Sequence, residues 1–332
     1  MAKARITNHN GAPAITVDGV AFPPMTMLAD NATPEYIKKL GEAGIRIFYL
    51  ISSMRWNRPG SDTEPDGVTQ TLAGIKRIVD IIPDAYIILR LNVGPNTEWI
   101  NSHPDEQLLF NDGSRERLIC TSAGPEPVDG MVSFASTAWR EDGARALEEY
   151  YNEISQSPLF DRVIGYFLCA GGTSEWYYPG ENRLRNLKKG TYADFSEPFR
   201  LEYEKFLRNK YKTEDELKRV WKREDASFEH PIIPNLAERT HISEADRIIR
   251  DSFEKWETVS YTLGRSVDFD AKSPTNIGVF LNARDYIYSA DFYDAMHTAT
   301  ANTIVHFARV LKDINPEMLV GTFYGSYGGC DY

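Results

Sequence analysis

Residues 163–176 read VIGYFLCAGGTSEW. Val163 to Ala170 is an almost unbroken apolar run, rich in branched and aromatic side chains, and it is stopped at once by Gly171-Gly172. A run of that length bounded by glycine reads as a strand buried on both faces, the kind found in parallel sheets covered by helices. Glu175 and Trp176 follow directly, at the carboxyl end of that strand.

Working outward, four more segments have strand character: Met25 to Leu28, Ile45 to Ile51, Ala85 to Val93 and Leu319 to Gly325. Helical patterns separate them. Thr33 and Pro34 open the first helix as N-cap and first helical residue, Ile37 and Leu40 face inward, and Gly44 closes it. Val68, Leu72, Ile75, Val79 and Ile82 recur at helical spacing before Pro83. Trp139 to Ile154 carries Leu147, Tyr150, Tyr151 and Ile154 on one side. After the central strand come an amphipathic Phe199–Tyr211 and a short helix opened by a Thr213/Glu216 capping box. Ser243 caps a helix through Ile248, Ile249, Phe253 and Trp256, and a long helix spans Tyr293 to Ile314. Residues 94–136 read as a long loop, and 259–290 show no usable period. Residues 4–22 form a hairpin-like lead with turns at Asn10-Gly11 and Asp18-Gly19.

Strand–helix alternation of this kind predicts an α/β fold with a parallel sheet. No GxGxxG turn follows an early strand, so a Rossmann fold is disfavoured. The expected architecture is a (β/α)8 TIM-barrel type with about five of the strand–helix units in this chain. Residues 1–24 are expected to form the hairpin-like lead and 25–332 the partial barrel.

Composition excludes several classes. The 332 residues carry a net charge of −11, which repels phosphate backbones and makes nucleic acid an unsuitable ligand. No stretch approaches the roughly 18 apolar residues that cross a bilayer. The start has no apolar signal core, so a cytoplasmic location is expected, although a mature secreted or periplasmic form would read the same. The 3 cysteines, Cys120, Cys169 and Cys330, are scattered and predict neither a disulfide framework nor a zinc ribbon. The 6 histidines show no HExxH spacing. His103 reads as a loop anchor, and His297 and His306 as packing or surface groups on a helix. A P-loop, a GxSxG elbow and a strand lysine for Schiff-base chemistry are all missing. No metal or cofactor is expected. Homo-oligomerisation is left open.

In a (β/α) barrel the active site lies at the carboxyl ends of the strands. Those positions hold Ser52, Ser53, Arg55 and Trp56 after the second strand, and Arg90 and Asn92 on the third, with Trp99 beyond. Ser174, Glu175 and Trp176 follow the fourth, and Tyr324 ends the fifth. One carboxyl among hydrogen-bonding and aromatic groups suits an uncharged polyhydroxylated ligand. A carboxyl in a cleft walled by Trp and Tyr is desolvated, holds its proton nearer neutrality and can deliver it to a leaving oxygen. The competing reading leaves Glu175 as a solvated loop residue. Trp139, Trp221 and Trp256 fall in helices and read as core. Trp56, Trp99 and Trp176 fall in mouth loops, where sugar platforms and packing are alternatives.

Several blocks of the chain are similar to a known family. They are Trp99 through His103-Pro104-Asp105-Glu106 with Asn111-Asp112-Gly113, then Ser133-Phe134-Ala135-Ser136 ahead of Trp139, and Val163 to Trp176. Phe199-Arg200 through Lys210-Tyr211 with Leu217 and Trp221 is another, and His306-Phe307-Ala308 through Gly321 to Gly325 the last. In order and spacing the chain resembles the catalytic domain of clan-A glycoside hydrolases, most closely the β-galactosidase-like family 42 group. The resemblance implies retaining hydrolysis of β-linked glycosides with Glu175 as acid/base, while the strand-end and mouth-loop positions make Trp56, Arg90, Asn92, Trp99, Ser174, Trp176 and Tyr324 the expected sugar-binding residues. The family places Asn before that Glu, and here Ser174 stands there. The family nucleophile is a second Glu on the seventh strand, which would lie beyond Tyr332, so the chain reads as truncated after the fifth strand. Two raw sheet edges would then make the chain alone poorly stable and inactive. A non-catalytic carbohydrate-binding barrel and an inactive fragment are the alternatives.

Overall fold

The computed structural model describes residues 2–23, 25–54, 56, 67–115, 117–121, 124–128, 130–171, 176, 192–235, 238 and 287–322. Three antiparallel strands come first: β1 (Ala4–His9), β2 (Ala12–Val17) and β3 (Val20–Phe22). There follow β4 (Thr26–Leu28), α1 (Pro34–Glu42), β5 (Ile47–Ser53), α2 (Gly67–Ile81), β6 (Tyr86–Asn92) and α3 (Thr97–Ser102). A hairpin of β7 (Arg117–Thr121) and β8 (Gly124–Val128) precedes α4 (Thr137–Ile154) and β9 (Val163–Cys169). Then come α5 (Glu197–Tyr211), α6 (Glu214–Trp221), α7 (Ile287–Ile314) and β10 (Leu319–Thr322).

Strands β4, β5, β6, β9 and β10 form one sheet in that order, every neighbouring pair parallel. An order that runs straight through the chain, without the reversal of a doubly wound sheet, is how successive units of a (β/α)8 barrel are laid down. The fold is a partial barrel of the TIM type. Among the described residues β4 and β10 each have one strand neighbour.

Alternation assigns each strand residue to a face. Phe48 and Leu50 of β5, and Ile87, Leu89 and Leu91 of β6, are buried against the helices. The helices present matching stripes. In α2 these are Val68, Thr71, Ile75 and Ile78; in α4 they run from Trp139 through Leu147 and Tyr150 to Ile154. Caps set where the helices begin: Thr33 accepts the Tyr36 N–H, Ser136 the Trp139 N–H, Ser196 the Phe199 N–H and Thr213 the Glu216 N–H. Helices α4 and α7 meet at Gly143, where a Cβ would lie 2.8 Å from the Phe307 ring.

The opposite, inner face is filled in its lower half by the N-terminal sheet. Ala4 and Val17 form one buried cluster with Ile47, Ile88 and Ile164. Phe22 meets Tyr86 edge-on at 5.6 Å. Ile164 joins this cluster because the β6–β9 register shifts between Ile87 and Ile88 and turns it inward. The sheet can double back tightly because Asn10-Gly11 and Asp18-Gly19 all have positive φ, the two-residue turn that matches strand twist. An exposed ion pair, Arg5–Glu317 at 2.8 Å, links this sheet to the turn before β10 and adds little.

The structure departs from the sequence expectation in the connections. Residues 94–136 are not one loop: α3 is capped by Asn96, and the β7–β8 hairpin follows. Pro125 and Pro127 had masked β8, since proline reads against a strand. The last helix starts at Ile287, earlier than Tyr293, because its first turns bury the polar Ser289 and Asp291 and so break the apolar period. Asp291 accepts from Lys210 Nζ, Tyr211 OH and Trp221 Nε1, joining α5, α6 and α7. The Ser243-capped helix with Trp256 lies outside the described residues.

If the N-terminal sheet is a packed floor, Ile88→Ala lowers unfolding free energy by about 3 kcal/mol. Ile6→Ala, on the same sheet but 60% exposed, stays within about 0.5 kcal/mol. Urea denaturation of both variants measures this, and equal effects would show that the floor carries no packing energy.

Candidate active site

With the lower half of the inner face covered, its open part is the end at which the strands terminate. Register places Ile51, Arg90 and Phe167 at one level, and Ser53, Asn92 and Cys169 at the next level toward the rim. Ile51 is 50% exposed, and Arg90 and Asn92 are half-buried. Asn92 Oδ1 accepts the Gly94 N–H at 2.8 Å, which shapes the turn leaving β6. Cys169 is buried at the end of β9.

Asp30 is a rim residue that the sequence reading passed over. It lies two residues beyond β4, and its Oδ1 accepts the Ile51 N–H at 2.9 Å. Oδ2 is shielded from solvent and accepts no hydrogen bond among the described residues. Burial raises the Asp30 carboxyl above its ordinary pKa, although the Ile51 N–H and the Arg77 and Arg90 guanidiniums pull the other way. The available signal was an acidic residue just after the first strand, at a position where barrel strands carry their chemistry.

Expected site residues divide into three groups. Arg90 and Asn92 are on the inner face near the rim. Glu175, Ser174 and Tyr324, with Arg55, lie outside the described residues. Trp56, Trp99 and Trp176, expected as mouth residues, are packed into the core cluster that contains the helix face. Trp176 is 2% exposed, donates its indole N–H to the Leu168 carbonyl at 2.9 Å, and lies 6.2 Å from Trp139. Trp99 donates to Asp142 Oδ2 at 2.8 Å and stacks flat on His103 at 4.1 Å. Trp56, with φ of 49°, leans on Trp99 at 5.9 Å and reaches Gly143 of α4. The indoles gain more from burying their area in this layer than a wet rim offers, and the N–H groups of Trp99 and Trp176 are satisfied there. Ser52 also points away from the inner face. Its hydroxyl lies 2.7 Å from both Thr71 Oγ1 and Tyr150 OH, and burial pushes the Tyr150 phenol up to about 12.

The loops after β6 and β9 are stitched together. Asn111 and Tyr192 exchange two hydrogen bonds of 3.0 Å, and the Phe195 N–H reaches the Leu109 carbonyl. Asp194 is fully buried and accepts from Ser133 Oγ at 2.7 Å and from the Ser196 N–H at 2.8 Å. Burial still raises its pKa. Trp176 and Asp194 thus pin two points on the connection that leaves β9. His306 is held by the Arg140 carbonyl at 2.9 Å. Among the described residues no cluster of three or more His, Cys, Asp or Glu side chains could hold a metal ion, and no helix is long and apolar enough to cross a membrane. Among the described residues the upper inner face thus holds the Asp30 carboxyl, the Arg90 guanidinium and the half-exposed Ile51.

No protein-family model and no curated protein matches the sequence. Solved structures do match in fold. The catalytic domain of β-amylase from Paenibacillus polymyxa aligns with TM-score 0.56 and 10% identity, over 90% of this chain and 65% of its own. A β-galactosidase from Bacillus circulans sp. alkalophilus aligns with TM-score 0.52 and 13% identity, over 91% of this chain and 36% of its own. The chain thus spans about a third of the β-galactosidase's length. At such identities the likeness is one of fold alone, that of the (β/α) barrel.

Because burial outweighs the favourable contacts at Asp30, its ionised form costs stability. The cost is nil below the ordinary pKa of 3.8 and grows as pH rises through the raised value. Asp30→Asn, which keeps an acceptor for Ile51, is expected to melt above the wild type at neutral pH and level with it in acid. A variant that melts lower at neutral pH would mean the arginines outweigh burial.

Proposed function

We propose that this chain carries the acid/base half of a glycoside hydrolase site, retaining and acting on β-linked, β-galactosidase-like substrates, with Glu175 as proton donor. The observation that carries the reading is the rank of β9. It is the fourth of the consecutive parallel strands, and Glu175 follows its last residue, Cys169, by six positions. A barrel of this type presents strand-end residues to its ligand. The β-galactosidase and β-amylase of like fold supply the sugar class as an analogy.

In this reading Glu175 protonates the glycosidic oxygen as the bond to the anomeric carbon breaks. The resulting carboxylate then takes a proton from the water that releases the sugar. A second carboxyl roughly 5–5.5 Å away attacks the anomeric carbon in a retaining enzyme; no residue is assigned to it. Arg90 and Asn92 bind sugar hydroxyls from the neighbouring strand, and Ser174 and Tyr324 are taken as flanking contacts. The tryptophans at 56, 99 and 176 support the loops from the helix side and are not part of the proposed sugar contacts.

Proton donation matters most when the leaving group is poor. On the protein containing this chain, Glu175→Ala is expected to lose about 10²–10⁴-fold in kcat/KM on alkyl β-galactosides, and far less in kcat/KM on 2,4-dinitrophenyl galactoside. Equal losses on both would remove Glu175 from the acid/base role, and sugar binding without turnover by the wild type would favour a carbohydrate-binding barrel. Proton NMR of the first-formed sugar tests the stereochemistry: β-anomer from β-substrate supports double displacement, whereas α-anomer rules it out.

A further inference from the structure

Trp176 directly follows the proposed acid in the chain, and the barrel holds it firmly. Its side chain is buried against Trp139 at 6.2 Å and Phe134 at 5.6 Å. The indole N–H turns back to the Leu168 carbonyl of β9 at 2.9 Å. That carbonyl also accepts from the Thr322 hydroxyl of β10 at 3.2 Å, so the acceptor belongs to the sheet and not to a loop. A leucine or phenylalanine at 176 would serve packing alone. The indole adds a directional bond to the strand from which the acid's segment departs. Trp139 supplies a comparison within the same layer. It is also fully buried, and it donates its indole N–H to the Val93 carbonyl just beyond β6 at 3.0 Å. Its chain neighbours, Ala138 and Arg140, have no part in the proposed chemistry.

A general acid works only within hydrogen-bond reach of the leaving oxygen, about 2.6–3.2 Å, and a misplacement of about 1 Å can cost about a hundred-fold in rate. We infer that Trp176 is a positioning residue for Glu175, acting through the bond from its indole to Leu168. Consecutive Cα atoms are about 3.8 Å apart, so an indole tied to β9 restrains the backbone that bears the Glu175 carboxyl. The inference rests on the acid/base reading given above and adds to it the group that keeps the acid in register with its substrate.

The test compares Trp176→Phe with Trp139→Phe in the protein containing this chain. Each exchange keeps a ring and deletes one buried indole hydrogen bond, so a merely structural role predicts the same outcome for both. The readout is kcat/KM on an alkyl β-galactoside divided by kcat/KM on 2,4-dinitrophenyl galactoside, a ratio that isolates the need for the proton. Trp176→Phe is expected to lower that ratio about ten-fold, the worth of one hydrogen bond, and Trp139→Phe to leave it within about two-fold of the wild type. Trp176→3-benzothienylalanine replaces only the N–H by sulfur. It is expected to act as Trp176→Phe does, and it carries the test if the phenylalanine variant does not fold. An unchanged ratio on loss of the 176 N–H, or an equal fall in Trp139→Phe, overturns the inference. Glu175→Ala measured alongside separates the two readings. If it lowers both rates equally, the acid/base role fails and the positioning role falls with it. If it lowers the ratio while loss of the 176 N–H does not, the positioning role alone is overturned.

Discussion

A parallel sheet must bury both of its faces, and the way this one does so governs where chemistry can occur. One face takes the helices in the usual manner. On the other, Ala4 and Val17 press against Ile47, Ile88 and Ile164, so the antiparallel N-terminal sheet acts as a floor. Each valine or isoleucine among them withdrawn from water contributes on the order of 1.5–3 kcal/mol. Among the described residues, the part of the inner face left uncovered is the upper one, from Ile51 and Arg90 to the rim. The floor thereby aims the strand ends and limits the depth of the cup.

The aromatic residues follow the same logic. Trp99, Trp139 and Trp176 lie in one layer between the strand ends and α4, and Trp56 leans on its edge. The N–H groups of Trp99, Trp139 and Trp176 go to Asp142 and to the carbonyls of Val93 and Leu168. These rings support the rim loops from behind.

Three acidic residues show how differently a carboxyl can be placed. Asp291 is enclosed and meets three donors from two helices. Asp194 is enclosed and holds the turn before α5 to the loop after β6. Asp30 accepts the Ile51 N–H on Oδ1 and hydrogen-bonds its own backbone amide, while Oδ2 is shielded from solvent and accepts no hydrogen bond among the described residues. The first two are joints in the scaffold.

The sequence by itself determined the strand–helix order, the parallel sheet and the turns of the N-terminal sheet. Apolar run length, helical spacing, Asn-Gly and Asp-Gly pairs and N-cap residues are local signals, and Thr33 and Thr213 could be read as caps without knowing what lay across the core. It also put Arg90 and Asn92 at a strand end, since alternation along β6 is fixed by the pleat. Only the tertiary structure decided that Trp56, Trp99 and Trp176 pack behind the rim, that Ser52 turns toward Tyr150, and that Asp30 stands beside Ile51 and Arg90. A side chain's face in a loop, and its neighbours on another strand, depend on register and on competition for buried area, quantities that no single segment of sequence carries.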